Sequence, residues 1–213
     1  MTGRVYFVSG IDTHIGKTYV TGYLAKTWNT SQQKTITQKL IQTGNIDVSE
    51  DILKHREIMG IGLQACDEKK WTMPEIFSYP ASPHLAAELE NRTIDFEHLK
   101  HTTQLLQNDY DVVLLEGAGG LMVPLTQNDL TIEYVQKNEY PVILVTSGRL
   151  GSINHTLLSL LAIQQYNIDL YAVAYNHFDD HQDQTIAQET QQYLQQYLQK
   201  HFPHALWLDI PKL

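Results

Sequence analysis

Nine residues near the start decide most of what this chain can fold into: Gly10-Ile11-Asp12-Thr13-His14-Ile15-Gly16-Lys17-Thr18. They follow Val5 to Ser9, an apolar run without alternation, as expected of a strand covered on both faces. They open onto helical spacing from Gly16 to Trp28. A strand, a glycine-started turn, Gly-Lys-Thr and a helix make a cradle for phosphate, because N–H groups of the loop and the helix N-terminus point at the anion. Lys17 is then placed to reach the outer phosphates of a nucleotide, and the Thr18 hydroxyl to bind Mg²⁺. Five residues, Ile11 to Ile15, separate the two glycines, one more than in the usual P-loop spacing.

Four more apolar runs read as buried strands: Thr35 to Lys39, Val112 to Leu115, Val142 to Thr146 and Leu170 to Tyr175. Segments of helical spacing alternate with them. Ile94 to Leu106 offers Phe96, Leu99, Leu105 and Leu106 as an inner face. Ser152 to Tyr166 offers Leu157, Leu158, Leu160, Leu161 and Ile163, and Asp183 to Lys200 offers Ile186, Thr190, Tyr193, Tyr197 and Leu198. Strand alternating with helix implies an α/β fold, P-loop NTPase-like, with a mostly parallel central sheet and helices on both faces. No repeat or linker tract divides residues 1–213, so one domain is expected, with Gly44 to Pro83 as an irregular excursion over the sheet edge.

Ligands of an open parallel sheet sit beyond the carboxyl ends of its strands, so the residues that follow each strand are the informative ones. Val112 to Leu115 runs into Glu116-Gly117-Ala118-Gly119-Gly120. A carboxylate there is costly unless paired or bound to a metal, and the glycines allow close backbone approach. Thr35 to Lys39 ends on a lysine that could add charge near a transferred phosphate. Asp51 is either a ligand or a helix-start residue. Ser147 to His155 is either an anion site or a plain turn capped by Ser152. Asn176 could contact a base edge or cap a turn.

Net charge is −9, which disfavours nucleic acid as a partner. No apolar stretch approaches the roughly 18 residues of a membrane span, and no secretory leader is evident. Cys66 is the single cysteine, so no internal disulfide forms and a reducing, cytoplasmic setting is expected. His177 and His181 are four apart but lie among Asp179, Asp180 and Asp183, which argues for solvated groups over zinc ligands.

Taken together, Gly10 to Thr18, Gln38 to Gly44, Ser82-Pro83-His84, Glu116 to Gly120 and Leu150 to His155 resemble the dethiobiotin synthetase family. The five-residue gap in the loop is typical of that family. The resemblance implies an ATP- and Mg²⁺-dependent ligase. CO₂ adds to one amine of 7,8-diaminononanoate, ATP phosphorylates the carbamate, and the second amine closes the ureido ring and expels phosphate. It also implies a homodimer. By position, Lys17 and Lys39 would be catalytic, and Thr18, Asp51 and Glu116 would hold the metal. ATP would meet Asp12, Thr13, His14, Ile15, Gly16, Lys17, Thr18, Tyr19, Asp51, Glu116, Gly117, Ala118, Gly119 and Asn176. The diamine would meet Thr13, Lys39, Thr43, Gly119, Gly148, Leu150, Gly151 and Asn154.

Three departures accompany the resemblance. His14 stands where some members carry a glutamate, Gln188 is nearest to a tyrosine found in some members, and the chain stops at Leu213, soon after Asp209-Ile210-Pro211. The last implies a relaxed choice among nucleotides. Rival readings are a P-loop ligase acting on a different diamine and a regulatory nucleotide-switch ATPase. The latter family carries a lysine where this chain has Asp12.

Overall fold

A computed structural model describes residues 2–177 and 183–212. His181, Asp179 and Asp180, named above as solvated groups, lie outside the described residues. All five expected strands form: β1 (Arg4–Gly10), β2 (Thr35–Lys39), β5 (Val112–Glu116), β6 (Val142–Ser147) and β7 (Leu170–Asn176). With β8 (Leu206–Ile210) they make one six-stranded sheet in the order β2-β5-β1-β6-β7-β8, and every pairing in it is parallel.

Alternation along the strands divides the core between two faces. Val5, Phe7, Val113, Leu115, Val142 and Leu144 join one cluster, together with Leu99 and Leu106 of α5 (Phe96–Asp109) and Leu160 and Ile163 of α7 (Ser152–Gln165). Tyr6, Val8, Val112, Leu114, Ile143 and Val145 join the other, against Val20, Leu24 and Ala25 of α1 (Lys17–Trp28). Both faces are apolar because helices cover both, which is why the strand runs read as unbroken.

The excursion from Gly44 to Pro83 is more ordered than its sequence implies. It holds α2 (Glu50–Met59), α3 (Ala65–Glu68) and β4 (Ile76–Phe77), which pairs with β3 (Gln42–Thr43) in a small parallel ladder. Ser49 caps α2 by accepting from the Ile52 N–H, and its own hydroxyl donates to Gln42 Oε1 at 2.6 Å. That bond pins the start of α2 to the end of the β2–β3 corner and so fixes where Asp51 points. After β4, α4 (Pro83–Leu89) begins with proline at its first position, where no N–H is needed. The chain then passes through α5 and β5 to α6 (Thr131–Lys137).

Three helix faces differ from expectation. On α8 (Gln184–His201) the buried stripe is Ala187, Thr190, Leu194 and Leu198, while Tyr193 is exposed. Those spacings of three and four keep one straight face, and the aromatic side chains flank it. On α7, Leu158 and Leu161 face outward. On α5, Thr102 and Thr103 take the inner positions beside Leu99 and Leu106, bonding to Leu99 O and Gln38. No helix among the described residues is long and apolar enough to cross a membrane.

Candidate active site

The register of β2 on β5 makes Lys39 and Glu116 direct partners at the carboxyl edge, and Glu116 is also opposite Val8 on β1. Parallel neighbours in register point to the same side of a sheet, so a cation and a carboxylate meet there by topology. Lys39 Nζ lies 2.8 Å from Glu116 Oε1 and 2.5 Å from Asp51 Oδ2, and donates to Gly117 O at 3.2 Å. The Thr18 hydroxyl is 2.9 Å from Asp51 Oδ1 and 3.1 Å from Glu116 Oε1, its one proton serving either. Lys39 and Glu116 are both buried.

Charge balance follows from that packing. Burial pulls the Lys39 ammonium down, but the Glu116 and Asp51 carboxylates more than offset it, and its pKa is raised above the usual lysine value. Burial would raise the Glu116 carboxyl, yet Lys39 and a hydrogen bond from His55 hold it well below the usual carboxylate range. Lys17, buried at the head of α1 with its Nζ 3.1 Å from Asp12 O, is lowered to about 8, chiefly by burial. The nearby Glu116 carboxylate only partly counters that effect. The Lys17 ammonium thus sits buried at the head of α1 beside the loop's own carbonyl, where a phosphate would restore its charge.

The loop is held from two sides. Gly16 has φ 86°, and a Cβ there would come within 2.2 Å of Asn176 Nδ2. The Asn176 amide donates to Ile15 O at 3.0 Å, so the end of β7 steadies the loop's last turn. Ile15 is buried beneath it. Asp12 accepts from the Thr13 N–H and from Arg149 at 2.5 Å, tying the loop to the turn after β6. Thr13 and His14 are exposed, His14 with φ 58°. Tyr19 Oη donates to Pro211 O at 2.7 Å.

Gly117 is packed so closely that a Cβ would lie 2.7 Å from Phe7 Cζ, and one at Gly120 would lie 3.1 Å from Gly10 O. Ala118 and Gly119 complete this second loop, Gly119 with φ 69°. A cleft of about 380 Å³ runs between the two loops and α7, lined by Asp12, Thr13, Gly120, Met122, His155 and Leu158. Gly148 is buried at the end of β6, while Leu150, Gly151 and Asn154 are exposed at the head of α7 and Thr43 is on β3. Thus five of the expected residues, Lys17, Thr18, Lys39, Asp51 and Glu116, form one charged cluster. Leu150, Gly151, Asn154 and Thr43 lie on other elements and share no hydrogen bond with it.

Two carboxylates and a hydroxyl converging on one point are a hard-oxygen set suited to Mg²⁺, which completes its shell with phosphate oxygens and water. The residues therefore fit the metal that a phosphate cradle implies.

Sequence reading missed His55, which is fully buried and lies 2.9 Å from Glu116 Oε2 through Nε2 and 3.0 Å from Thr37 Oγ1 through Nδ1. The available signal was its place four residues after Asp51, which puts both on one face of a helix. Behind it Arg56 bonds Thr37 and forms a two-pronged ion pair with Asp67.

A family model described as "AAA domain" matches residues 4–208. The chain is 50% identical over 204 residues to ATP-dependent dethiobiotin synthetase BioD 2 of Pasteurella multocida, covering 96% of this chain and 95% of that protein. It is 51% identical over 191 residues to ATP-dependent dethiobiotin synthetase BioD of Chlorobaculum tepidum, covering 90% and 80%. Among solved structures, a plasmid partition protein from Borrelia burgdorferi matches with TM-score 0.58 at 13% identity, over 100% of this chain and 91% of that one. A ParA family ATPase from Chlorobium tepidum matches with TM-score 0.55 at 12% identity, over 99% and 85%. At such identities these two structures speak to the fold alone.

Proposed function

The chain belongs to the dethiobiotin synthetase family, and from that premise we propose how its residues carry out ATP-dependent closure of a ureido ring. It is an ATP-dependent ligase of biotin synthesis, and its substrates are small molecules. The observation that carries the assignment of roles is the buried Lys39 between Asp51 and Glu116, beside Thr18 of the phosphate loop.

In the proposed reaction, one amine of 7,8-diaminononanoate loses a proton and bonds to CO₂. A carbamate oxygen then attacks the γ-phosphorus, and the bond to ADP breaks. The second amine attacks the carbamoyl carbon, the carbon–oxygen bond to phosphate breaks, and ring closure releases phosphate and a proton. Little of this needs covalent help, so catalysis is positioning and charge stabilisation. Backbone N–H groups of Asp12 to Thr18 receive the phosphates, and Lys17 takes the outer ones. Lys39 faces the γ-phosphate and carbamate, where two anions must approach, and its raised pKa keeps it charged through neutral pH. Mg²⁺, held by Thr18, Asp51 and Glu116, would neutralise phosphate charge during transfer.

Asn176 and Tyr19 flank the loop on the base side, and Gly117 to Gly119 supply close backbone. The diamine is assigned to Thr13, which lines the cleft, together with Lys39, Gly119 and Thr43, and its carboxylate to Gly148, Leu150, Gly151 and Asn154. Exposed Leu150 (85%), Leu158 and Leu161 near that cleft support a homodimer. Residues 1–213 would then be one domain of a cytoplasmic enzyme that works on small molecules rather than nucleic acid. ADP release that requires the diamine, with dethiobiotin formed in step, is the test; release indifferent to the diamine would contradict it.

A further inference from the structure

His55 is fully buried on the face of α2 that carries Asp51, and the reaction as derived gives it no task. Its two ring nitrogens have different partners, a hydroxyl at one and a carboxylate at the other. Asp67 holds Arg56 at 2.9 Å and 2.7 Å through two guanidinium nitrogens. Arg56 Nη1 donates to Thr37 Oγ1 at 2.8 Å. The Thr37 hydroxyl accepts there and still has its own proton to donate, with His55 Nδ1 3.0 Å away. Glu116 Oε2, 2.9 Å from Nε2, can only accept, so Nε2 carries the hydrogen, and in the neutral imidazole Nδ1 is then the nitrogen that accepts from Thr37. The Arg56–Thr37 end of the chain accommodates that tautomer, and the carboxylate end selects it.

The consequence falls on Glu116. Its Oε2 is engaged by His55, while Oε1 faces Thr18 and Lys39. A glutamate without that anchor can turn about its side-chain bonds and present either oxygen, or both, to the site. We infer that His55 is a positioning residue, which through Nε2–H occupies one oxygen of Glu116 so that the other alone faces the metal and the phosphoryl group. Thr37, Arg56 and Asp67 accommodate the direction of that bond. The inference rests on the proposed metal-binding role of Glu116. A histidine that merely fills the core would need packing at this position but no donor aimed at Oε2.

Mn²⁺ serves as a paramagnetic probe of the site, bound to the full chain with a non-hydrolysable ATP analogue and measured by electron paramagnetic resonance. His55→Gln places an amide N–H near the Nε2 position and keeps the bond to Glu116. His55→Asn is shorter and reaches Thr37 only. Outer-shell partners of this kind usually matter by about 10- to 100-fold in metal affinity. His55→Asn is expected to weaken Mn²⁺ by that factor, and His55→Gln to recover most of it. Thr37→Val, which leaves the imidazole in place but removes the hydroxyl that holds its Nδ1, is expected to weaken Mn²⁺ as well; if His55→Asn does not fold, the contrast is read between Thr37→Val and the wild type. Equal Mn²⁺ affinity in the wild type, His55→Gln and His55→Asn, or in Thr37→Val and the wild type, overturns the inference. Glu116→Gln separates the two levels. If it loosens Mn²⁺ and the changes at His55 and Thr37 do not, only the positioning role falls. If it too leaves Mn²⁺ unchanged, the metal assignment fails and this inference with it.

Discussion

Lys39 and Glu116 are register partners at the carboxyl ends of β2 and β5, with Nζ and Oε1 2.8 Å apart. The pairing puts a permanent cation where the transferred phosphoryl group and the carbamate must come together. Removal of one preorganised charge of this kind costs about 10²- to 10³-fold in rate. Lys39→Ala is expected to lose turnover on that scale in a steady-state assay, with the fold retained by circular dichroism. Activity within about threefold of wild type would remove Lys39 from the mechanism.

Gly16 sits at φ 86° with the Asn176 amide pressed against it. A side chain in the left-handed region costs roughly 1–2 kcal/mol, about tenfold in an equilibrium. Gly16→Ala adds a clash with Asn176 and should break its bond to Ile15 O. Equilibrium binding of ATP should weaken by at least that tenfold factor, while Gly62→Ala, whose Cβ would meet nothing within 4 Å, should leave nucleotide affinity unchanged.

Arg56 and Asp67 are a buried pair, their side chains 3% and 0% exposed. Burial alone would raise the Asp67 carboxyl, but the Arg56 hydrogen bonds and charge lower it below its ordinary value. A carboxyl lowered in the folded state adds stability that is fully present above its unfolded pKa and is lost as pH falls through the folded one. The wild type should therefore lose stability below about pH 4, and Asp67→Asn should show a flatter acid limb. Breaking one half of a buried pair costs about 3–5 kcal/mol, so Asp67→Asn should also melt several degrees lower at neutral pH. An unchanged acid limb would show that the pair carries no such linkage.

Leu158 and Leu161 lie one turn apart on the outer face of α7, close to the cleft. If that face meets a second copy, Leu158→Glu shifts the chain from dimer to monomer in sedimentation velocity. Because the side chain is exposed within one chain, the change should cost the monomer's own stability little, within about 0.5 kcal/mol. A dimer that persists through Leu158→Glu and Leu161→Glu together would place the interface elsewhere.

The parallel strands and the loop at Gly10 to Thr18 were legible because their signals are local: unalternating apolar runs, and a glycine–lysine–threonine turn between strand and helix. Glu116 and Lys39 were legible as residues ending such runs, though their partnership depends on strand order, which no single segment encodes. His55 and Arg56 were not legible. They lie in Glu50–Met59, where most residues are polar, and a buried polar face looks like a solvated one until its partners Thr37, Asp67 and Glu116 are in place. The strand β8 was hidden for a different reason. It is an edge strand, Trp207 and Leu208 only half-buried and Leu206 exposed, so its pattern is faint. On α8 the expected Thr190 and Leu198 are buried, but Ala187 and Leu194 take the places of Ile186 and Tyr193, because the spacing alone does not separate neighbouring positions on an apolar helix edge.

The central claim is that this site couples ATP cleavage to ring closure. Its most direct measurement is ADP release by the purified chain with ATP, Mg²⁺ and bicarbonate, with and without 7,8-diaminononanoate, while dethiobiotin is quantified by mass spectrometry. The account predicts ADP release only with the diamine, one dethiobiotin for each ADP, and loss of both in Lys39→Ala. Slow release that ignores the diamine, with no dethiobiotin formed, would contradict it.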